Sequence, residues 1–390
     1  MITNGFTYIA ILLFMSAVLV TLEEKATGVL ARFFSYVPAI VLCYLIAATL
    51  CSFNLWDLEA TKPTYDALRS GLIYTMVFTM LLGCDLRKIL KLGPKMLLVF
   101  FCAAVTVCIS FLLTFGIMKD FLGPDSWKGL GALCGSWLGG SGNMLAVQAA
   151  LDVSESDMGH VLIMDAIDYA IWIMFLLWAI PLAPKFNQWT GANTSSSDEV
   201  ANRLSRFTKS THAPVSFYSL FLILGCGLLA SAAGQYLGVY LSDYTHFLDS
   251  TSWTVLSITV ISLLASMTPI GKLAGSSEVS NVLLYSVMAL LASRVNPTQL
   301  SAAPLWIFTG LLILVIHAIL MIFLCKLLRI DLFTAGVASL ANIGGTASAP
   351  VLAATCSDSL VPVGILMSLM GYIIGTPGGI FTAFLMQRMT

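Results

Sequence analysis

The chain has 390 residues, 58% of them hydrophobic, with only 19 basic and 20 acidic side chains. A soluble domain carries charge on about a quarter of its residues, so this chain cannot cover a water-facing surface of its size, and the solvent around it is lipid. A formal charge of −1 excludes the clustered basic surface that nucleic acid requires, and nine cysteines without a C-x-x-C pair give neither a disulfide framework nor a zinc site.

In chain order, apolar runs of spanning length predict helices at 5–22, 36–53, 67–84, 96–116 and 160–182, then at 214–240, 252–268, 277–294, 303–325 and 361–386. No basic stretch precedes the first run, so it is read as a retained span and not a cleaved leader. Two further stretches, 129–151 and 332–355, are apolar but broken by glycine and small polar residues. A polar segment at 184–213 reads as a solvated linker between a first half, 1–183, and a second half, 214–390.

The halves repeat. Gly139-Gly140-Ser141-Gly142-Asn143 lines up with Gly344-Gly345-Thr346-Ala347-Ser348, and the helix that follows each break runs Ile163 to Tyr169 in one half and Leu366 to Tyr372 in the other. If both broken stretches enter and leave on one face, with the N-terminus outside, Lys25, Arg32, Arg87, Lys88, Lys91, Lys95, Lys185, Arg203, Arg206, Lys209, Lys272, Lys326 and Arg329 are cytoplasmic, 13 of 19 basic residues. Each repeat then has five spans, an odd number, and the second is inverted relative to the first. If both stretches cross completely, the halves are parallel and the best split is 12 against 7. The positive-inside rule prefers the first arrangement. The expected fold class is all-α integral membrane, built from inverted five-span repeats, each with one interrupted or re-entrant glycine-rich helix.

A glycine-serine interruption exposes backbone N–H and C=O groups that lipid cannot satisfy, at several kcal/mol per group, so it must face protein or water. In transporters, paired interruptions set half-helix N-termini, each equivalent to about +0.5 charge, around a substrate. The predicted solute site is therefore Gly140, Ser141, Gly142 and Asn143 in the first break, with Asn342, Gly345, Thr346, Ala347 and Ser348 in the second. The bland alternative is close helix packing through small residues.

Asp165 and Asp168 lie one turn apart inside a predicted span and are expected on one side of it, with Trp172 continuing that face. Each costs ~2.5–3.5 kcal/mol at a helix centre. No lysine or arginine sits in the middle of a predicted span, so the partner is Na+, a proton or water, and the pair is the candidate ion-coupling and Na+ site. The matching residues of the second half are Ser368 and Gly371, so only one half supplies charge. Gln148 either lines the path or packs. His317 either relays protons or bonds a neighbouring helix. Asp85 and Arg294, at equivalent helix ends, read as interfacial anchors.

On these residues the chain resembles the "domain of unknown function 819" membrane family, through the Asp85 to Pro94 turn, Gly135 to Asn143, Asp165 to Asp168, and Ala341 to Gly345. That family is similar to the superfamily of cation/proton antiporters, bile-acid symporters and glutamate and citrate symporters. The resemblance implies a core domain holding the two interrupted helices, a scaffold domain that dimerises, and elevator-like movement between them. Asp165-x-x-Asp168 departs from the consecutive acidic pair usual in the antiporters, so antiport does not follow.

The leading expectation is a secondary active transporter, not an enzyme, for a small anionic or zwitterionic organic solute. Na+ or H+ drives it, with no other cofactor, and its partners are the bilayer and a second copy of the chain. The expected location is a bacterial inner membrane with 184–213 on the cytoplasmic side. A channel is one alternative, and an intramembrane serine protease using Ser141 with His160 or His317 is another.

Overall fold

The computed structural model describes residues 1–84, 86–192, 214–245, 249–294, 303–356 and 361–390, and no strand forms among them. The first half contains α1 (Gly5–Glu24), α2 (Gly28–Tyr36), α3 (Ala39–Ser52), α4 (Leu58–Leu82), α5 (Gly93–Leu122), α6 (Ser126–Gly139), α7 (Ser141–Leu151), α8 (Glu155–Ala179) and α9 (Ala183–Thr190). The second half contains α10 (Phe217–Thr245), α11 (Ser250–Ser266), α12 (Ser276–Ala292), α13 (Ala303–Leu328), α14 (Leu332–Ile343), α15 (Gly345–Cys356) and α16 (Val361–Gln387). Short polar side chains set the starts. Asn4, Asp57, Ser154, Asp249 and Asp331 each accept a hydrogen bond from a first-turn N–H of the helix that follows.

Each of the ten predicted spans is a helix, but they are not equally suited to lipid. Among the described residues α1, α5, α10, α13, α16 and the α8–α9 rod are long and apolar enough to cross a membrane, and the α2–α3 pair, bent by 79°, makes a seventh. The α4 helix begins well before the predicted residue 67. Asp57 caps it, and its polar first turns are held by partners: the Tyr65 hydroxyl donates to Glu155 Oε1 at 2.7 Å, and Arg69 lies 3.9 Å from Glu155. The segment 184–213 is described only as far as residue 192. Its start is the helix α9, where Asn187 Oδ1 accepts the Leu332 N–H at 2.9 Å and Lys326 Nζ donates to the Trp189 carbonyl. Residues 193–213, with Arg203, Arg206 and Lys209, lie outside the described residues, as does Asp85. Arg294 does anchor a helix end: its guanidinium donates to the Leu58 carbonyl and Thr61 Oγ1, and lies 4.8 Å from the centre of the Tyr65 ring.

Two bundles result. One gathers α1, α3, α4, α10, α11 and α12; the other gathers α5 to α8 and α13 to α16. The halves contribute alike, with three leading helical segments in the first bundle and a helix, a broken helix and a closing helix in the second.

Both broken segments fold back on themselves. A Cβ built on Gly131 would lie 3.1 Å from Leu151 Cδ1, and one on Gly135 would lie 2.8 Å from Val147 Cγ2, so α6 and α7 run antiparallel with their tip at Gly140. The same test sets Gly336 3.2 Å from Leu352 Cδ2, so α14 and α15 form a second hairpin with its tip at Gly344 and Gly345. The closing helix α16 lies against the first hairpin through glycines, with a Cβ on Gly379 falling 2.9 Å from the Gly135 backbone. Helices approach this closely in lipid only through small residues. Gly379→Ala should therefore overpack the α6–α16 contact and lower stability by about 1–3 kcal/mol. Gly225→Ala, which meets open space, should not; denaturation of the two purified variants in detergent checks the difference.

Candidate functional site

The two hairpin tips meet. Gly140 has φ +89° and Gly345 φ +63°, conformations that glycine reaches without a steric penalty, and a Cβ on Gly345 would lie 3.8 Å from the Gly140 Cα. Gly371 of α16 is wedged beside both hairpins: a Cβ there would lie 2.6 Å from the Leu138 carbonyl oxygen and 3.2 Å from that of Ala341. Asn143 fastens the first tip to the same helix. Its Nδ2 donates to the Gly139 carbonyl at 2.8 Å, and its Oδ1 accepts the Thr376 N–H at 3.1 Å and the Thr376 hydroxyl at 2.6 Å. Ser368 Oγ donates to the Gly345 carbonyl at 2.9 Å and so steadies the second tip.

A cavity of about 430 Å³ opens at this junction, between the two bundles. Its volume suits a small organic molecule. On the hairpin side it is walled by Gly140, Ser141, Gly142, Gly344 and Gly345, and by Ser136, Asp165, Tyr169 and Tyr372. The facing wall comes from α4 with Met76 and Met80, from α12 with Ser280, Asn281 and Met288, and from Glu23 at the end of α1.

The aspartates part company. Asp165 lines the cavity, with Oδ1 accepting from Trp137 Nε1 at 2.8 Å and Oδ2 from Ser136 Oγ at 3.2 Å. Asp168 does not line it. It is fully buried, neither carboxylate oxygen has a hydrogen-bond partner among the described residues, and a Cβ on Gly310 of α13 would run into its Oδ2. The expectation of one shared face therefore needs correction. Three residues turn a helix to within about 60° of the starting direction, and here that angle separates a neighbour on α6 from one on α13. A carboxylate without a partner in apolar surroundings is costly to hold charged.

Trp172 follows the Asp168 side. Its Nε1 donates to Ser339 Oγ at 3.0 Å, and Ser339 Oγ and Thr106 Oγ1 each lie 2.9 Å from a ring nitrogen of His317. His317 thus ties α13 to α5 and α14 and stands outside the cavity, whereas His160 is stacked on Trp306 at 5.5 Å. Neither histidine lines the cavity with Ser141. Among the described residues no group of three His, Cys, Asp or Glu side chains could hold a metal ion, so Na+ at either aspartate would draw its other ligands from carbonyls and hydroxyls.

Of the predicted solute residues, Gly140, Ser141, Gly142 and Gly345 border the cavity. Asn143, Asn342 and Ser348 are not among its lining residues: Asn143 faces Thr376, Asn342 Nδ2 donates to the Ala338 carbonyl at 2.9 Å, and Ser348 is buried beside Gly344. For the two asparagines the reason is shared, since a polar side chain near a broken helix end first satisfies that backbone. The backbone of Thr346 and Ala347 belongs to the first turn of α15, and their side chains lie outside the described ones. Gln148 is fully buried in the first hairpin with no partner for its amide among the described residues. Sequence reasoning misses Glu23, Ser280, Asn281 and the methionines. Tyr169 and Tyr372 carried a signal, because they align in the two halves.

These features define an all-helical integral membrane protein with an internal cavity where two helical hairpins meet. The chain belongs to the DUF819 family, described as protein of unknown function, with the match running over residues 10–389. It is similar to the uncharacterized membrane protein YjcL of Bacillus subtilis (strain 168), 22% identical over 353 residues that cover 86% of this chain and 87% of the relative.

Two outcomes test the site. Asn143→Ala should cost about 1–3 kcal/mol, because it strips partners from a buried carbonyl and from Thr376, and it should raise proteolytic cleavage near the tips. Gly310→Ala should destabilise the protein through the Asp168 carboxylate, and Gly310→Ala combined with Asp168→Ala should recover most of the loss, as a double-mutant cycle of melting temperatures reads out.

Proposed function

We propose that this protein is a secondary active transporter, not an enzyme, carrying a small organic solute across the membrane by alternating access coupled to Na+ or H+. The observation that carries the reading is the meeting of two hairpin tips and the Asp165 carboxylate at one cavity between two helix bundles. Exposed backbone ends, an acidic group and a cavity at a boundary between bundles are what a carrier needs to hold cargo and then change the side on which it is open. Asp168, buried and without a hydrogen-bond partner among the described residues, supplies the candidate site for the driving ion, with Asp165 on the solute side of the same helix.

In this reading the halves are inverted repeats, with the N-terminus outside and 184–213 cytoplasmic in a bacterial inner membrane. The hairpin bundle moves as an elevator core against the other bundle, which serves as scaffold and dimerises. The matching order of elements in the two halves supports inversion, since five spans and a hairpin per half reverse the direction of the second. The protease alternative has less support, because neither histidine lines the cavity with Ser141.

A cysteine replacing Ser141, in a background without the native cysteines, tests alternation directly. Membrane-impermeant thiol reagents should label it from either face of oriented vesicles, in proportions that shift with Na+ or pH. Asp168→Asn should fold and abolish that shift. Labelling from one face only, under all ionic conditions, would sink the carrier reading.

A further inference from the structure

The charged side chains that line the cavity are all acidic. Asp165 reaches it from the hairpin bundle and Glu23 from the other, and among the described residues no lysine, arginine or histidine borders it. Glu23 is built into the wall, since Oε1 accepts the Ala39 N–H at 3.1 Å and Oε2 accepts the Tyr285 hydroxyl at 3.4 Å.

Helix ends do not reverse that sign. Each N-terminus at the tips, at Ser141 and Gly345, is worth about +0.5 charge, but α6 and α14 end at Gly139 and Ile343, within two residues of them, with about −0.5 each. A hairpin tip therefore brings opposite poles together, unlike the N-terminus of a lone half-helix. With the helix poles offset, Asp165 and Glu23 set the field of the site, and a carboxylate solute would meet no cation to balance it.

The aromatic residues point the same way. Tyr169 and Tyr372 hold equivalent positions in the two halves, and each packs on the other half's hairpin tip. A Cβ on Gly344 would lie 2.7 Å from Tyr169 Cε2, and one on Gly140 would lie 3.7 Å from Tyr372 Cε1. Both rings border the cavity, joined by the polarisable thioethers of Met76, Met80 and Met288. Ring faces attract a cation within about 6 Å of their centres, and a desolvated ammonium gains most.

We infer, resting on the transporter reading, that the solute is a small organic ammonium ion, held between the Asp165 carboxylate and the rings of Tyr169 and Tyr372. This replaces the anionic or zwitterionic solute expected from the glycine breaks alone.

The test uses the purified full-length protein in detergent. Its melting temperature is followed against tetramethylammonium, choline and n-butylammonium chlorides, with sodium succinate and sodium citrate at matched ionic strength. At least one ammonium ion should raise the melting temperature with a saturating dose dependence, and the carboxylates should not. Asp165→Asn, or Glu23→Gln should the first variant fail to fold, should weaken the apparent affinity at least tenfold. Tyr372→Phe should keep the response and Tyr372→Leu should lose it. A shift with succinate or citrate alone, no shift with any of the three ammonium ions, or an undiminished response in both acidic variants would overturn the inference. Two-sided labelling at the Ser141 position needs no ligand. A cavity that alternates but takes only carboxylates therefore removes this inference alone, and one that binds ammonium without alternating removes the transporter reading instead.

Discussion

Four helix ends, those of α6, α7, α14 and α15, come together at Gly140 and Gly345, and each brings N–H or C=O groups that no intrahelical bond satisfies. Water would solvate such ends at little cost, whereas in hydrocarbon every bare group costs several kcal/mol. The molecule answers by using its polar residues next to the tips on the tips themselves. Asn143 bonds the Gly139 carbonyl and Thr376, and Ser368 bonds the Gly345 carbonyl. The cavity lies beside these tips, bordered by Gly140, Ser141, Gly142, Gly344 and Gly345.

That constraint also bears on why two carboxylates on one helix have different surroundings. Asp165 sits where the first hairpin offers donors, Ser136 Oγ and Trp137 Nε1, and can remain at a wet wall. Asp168 turns toward Gly310, whose missing side chain leaves room for a carboxylate and nothing for it to bond. A glycine opposite an unpartnered acid keeps the group dry and close to α13. In a carrier this arrangement separates the ion from the cargo by one helical turn, close enough for the charge state of one to be felt at the other.

Much of this was legible in the sequence, and the limits have physical causes. The glycine pairs at 139–140 and 344–345 interrupt otherwise apolar helices, and both hairpins turn there, because a local break is a local signal. The grouping of helices into two bundles depends on contacts such as α4 with α12, which carry no local signature. Asn143 reads as a ligand in one dimension because its partner, Thr376, is 233 residues away. Glu23 lies at the polar end of an apolar run, where a charge ordinarily marks the edge of the membrane, and only the approach of α3 and α12 makes it part of a cavity. Spacing alone sets the angle between Asp165 and Asp168, but the neighbours on either side decide what that angle means.

The two halves use the same elements with unequal tightness. Against the first hairpin α16 presents Gly371, Gly375 and Gly379, whereas α8 carries Asp168, Trp172 and Leu176 at the corresponding steps from the aligned tyrosines. Between α8 and the second hairpin there remains an apolar cleft of about 180 Å³, lined in part by Trp172, Leu176, Gly336 and Ser339. Glycines allow the first contact to close and bulky side chains hold the second apart, so the difference is written in residue size. A carrier that worked by exchanging the shapes of its halves would have to open the close-packed glycine contact and collapse the tryptophan one against bulky side chains. Movement at the boundary between the bundles asks for neither. Besides the packing of α7 on α4 and α11, that boundary carries polar contacts, among them Glu155 with Tyr44, Tyr65 and Arg69 and the Ser252 hydroxyl with the Ala150 carbonyl. In the transporter reading, a hairpin bundle that moved as one body would carry only its own wall of the cavity, with Asp165, Tyr169 and Tyr372, and would remake these contacts at each end of the stroke.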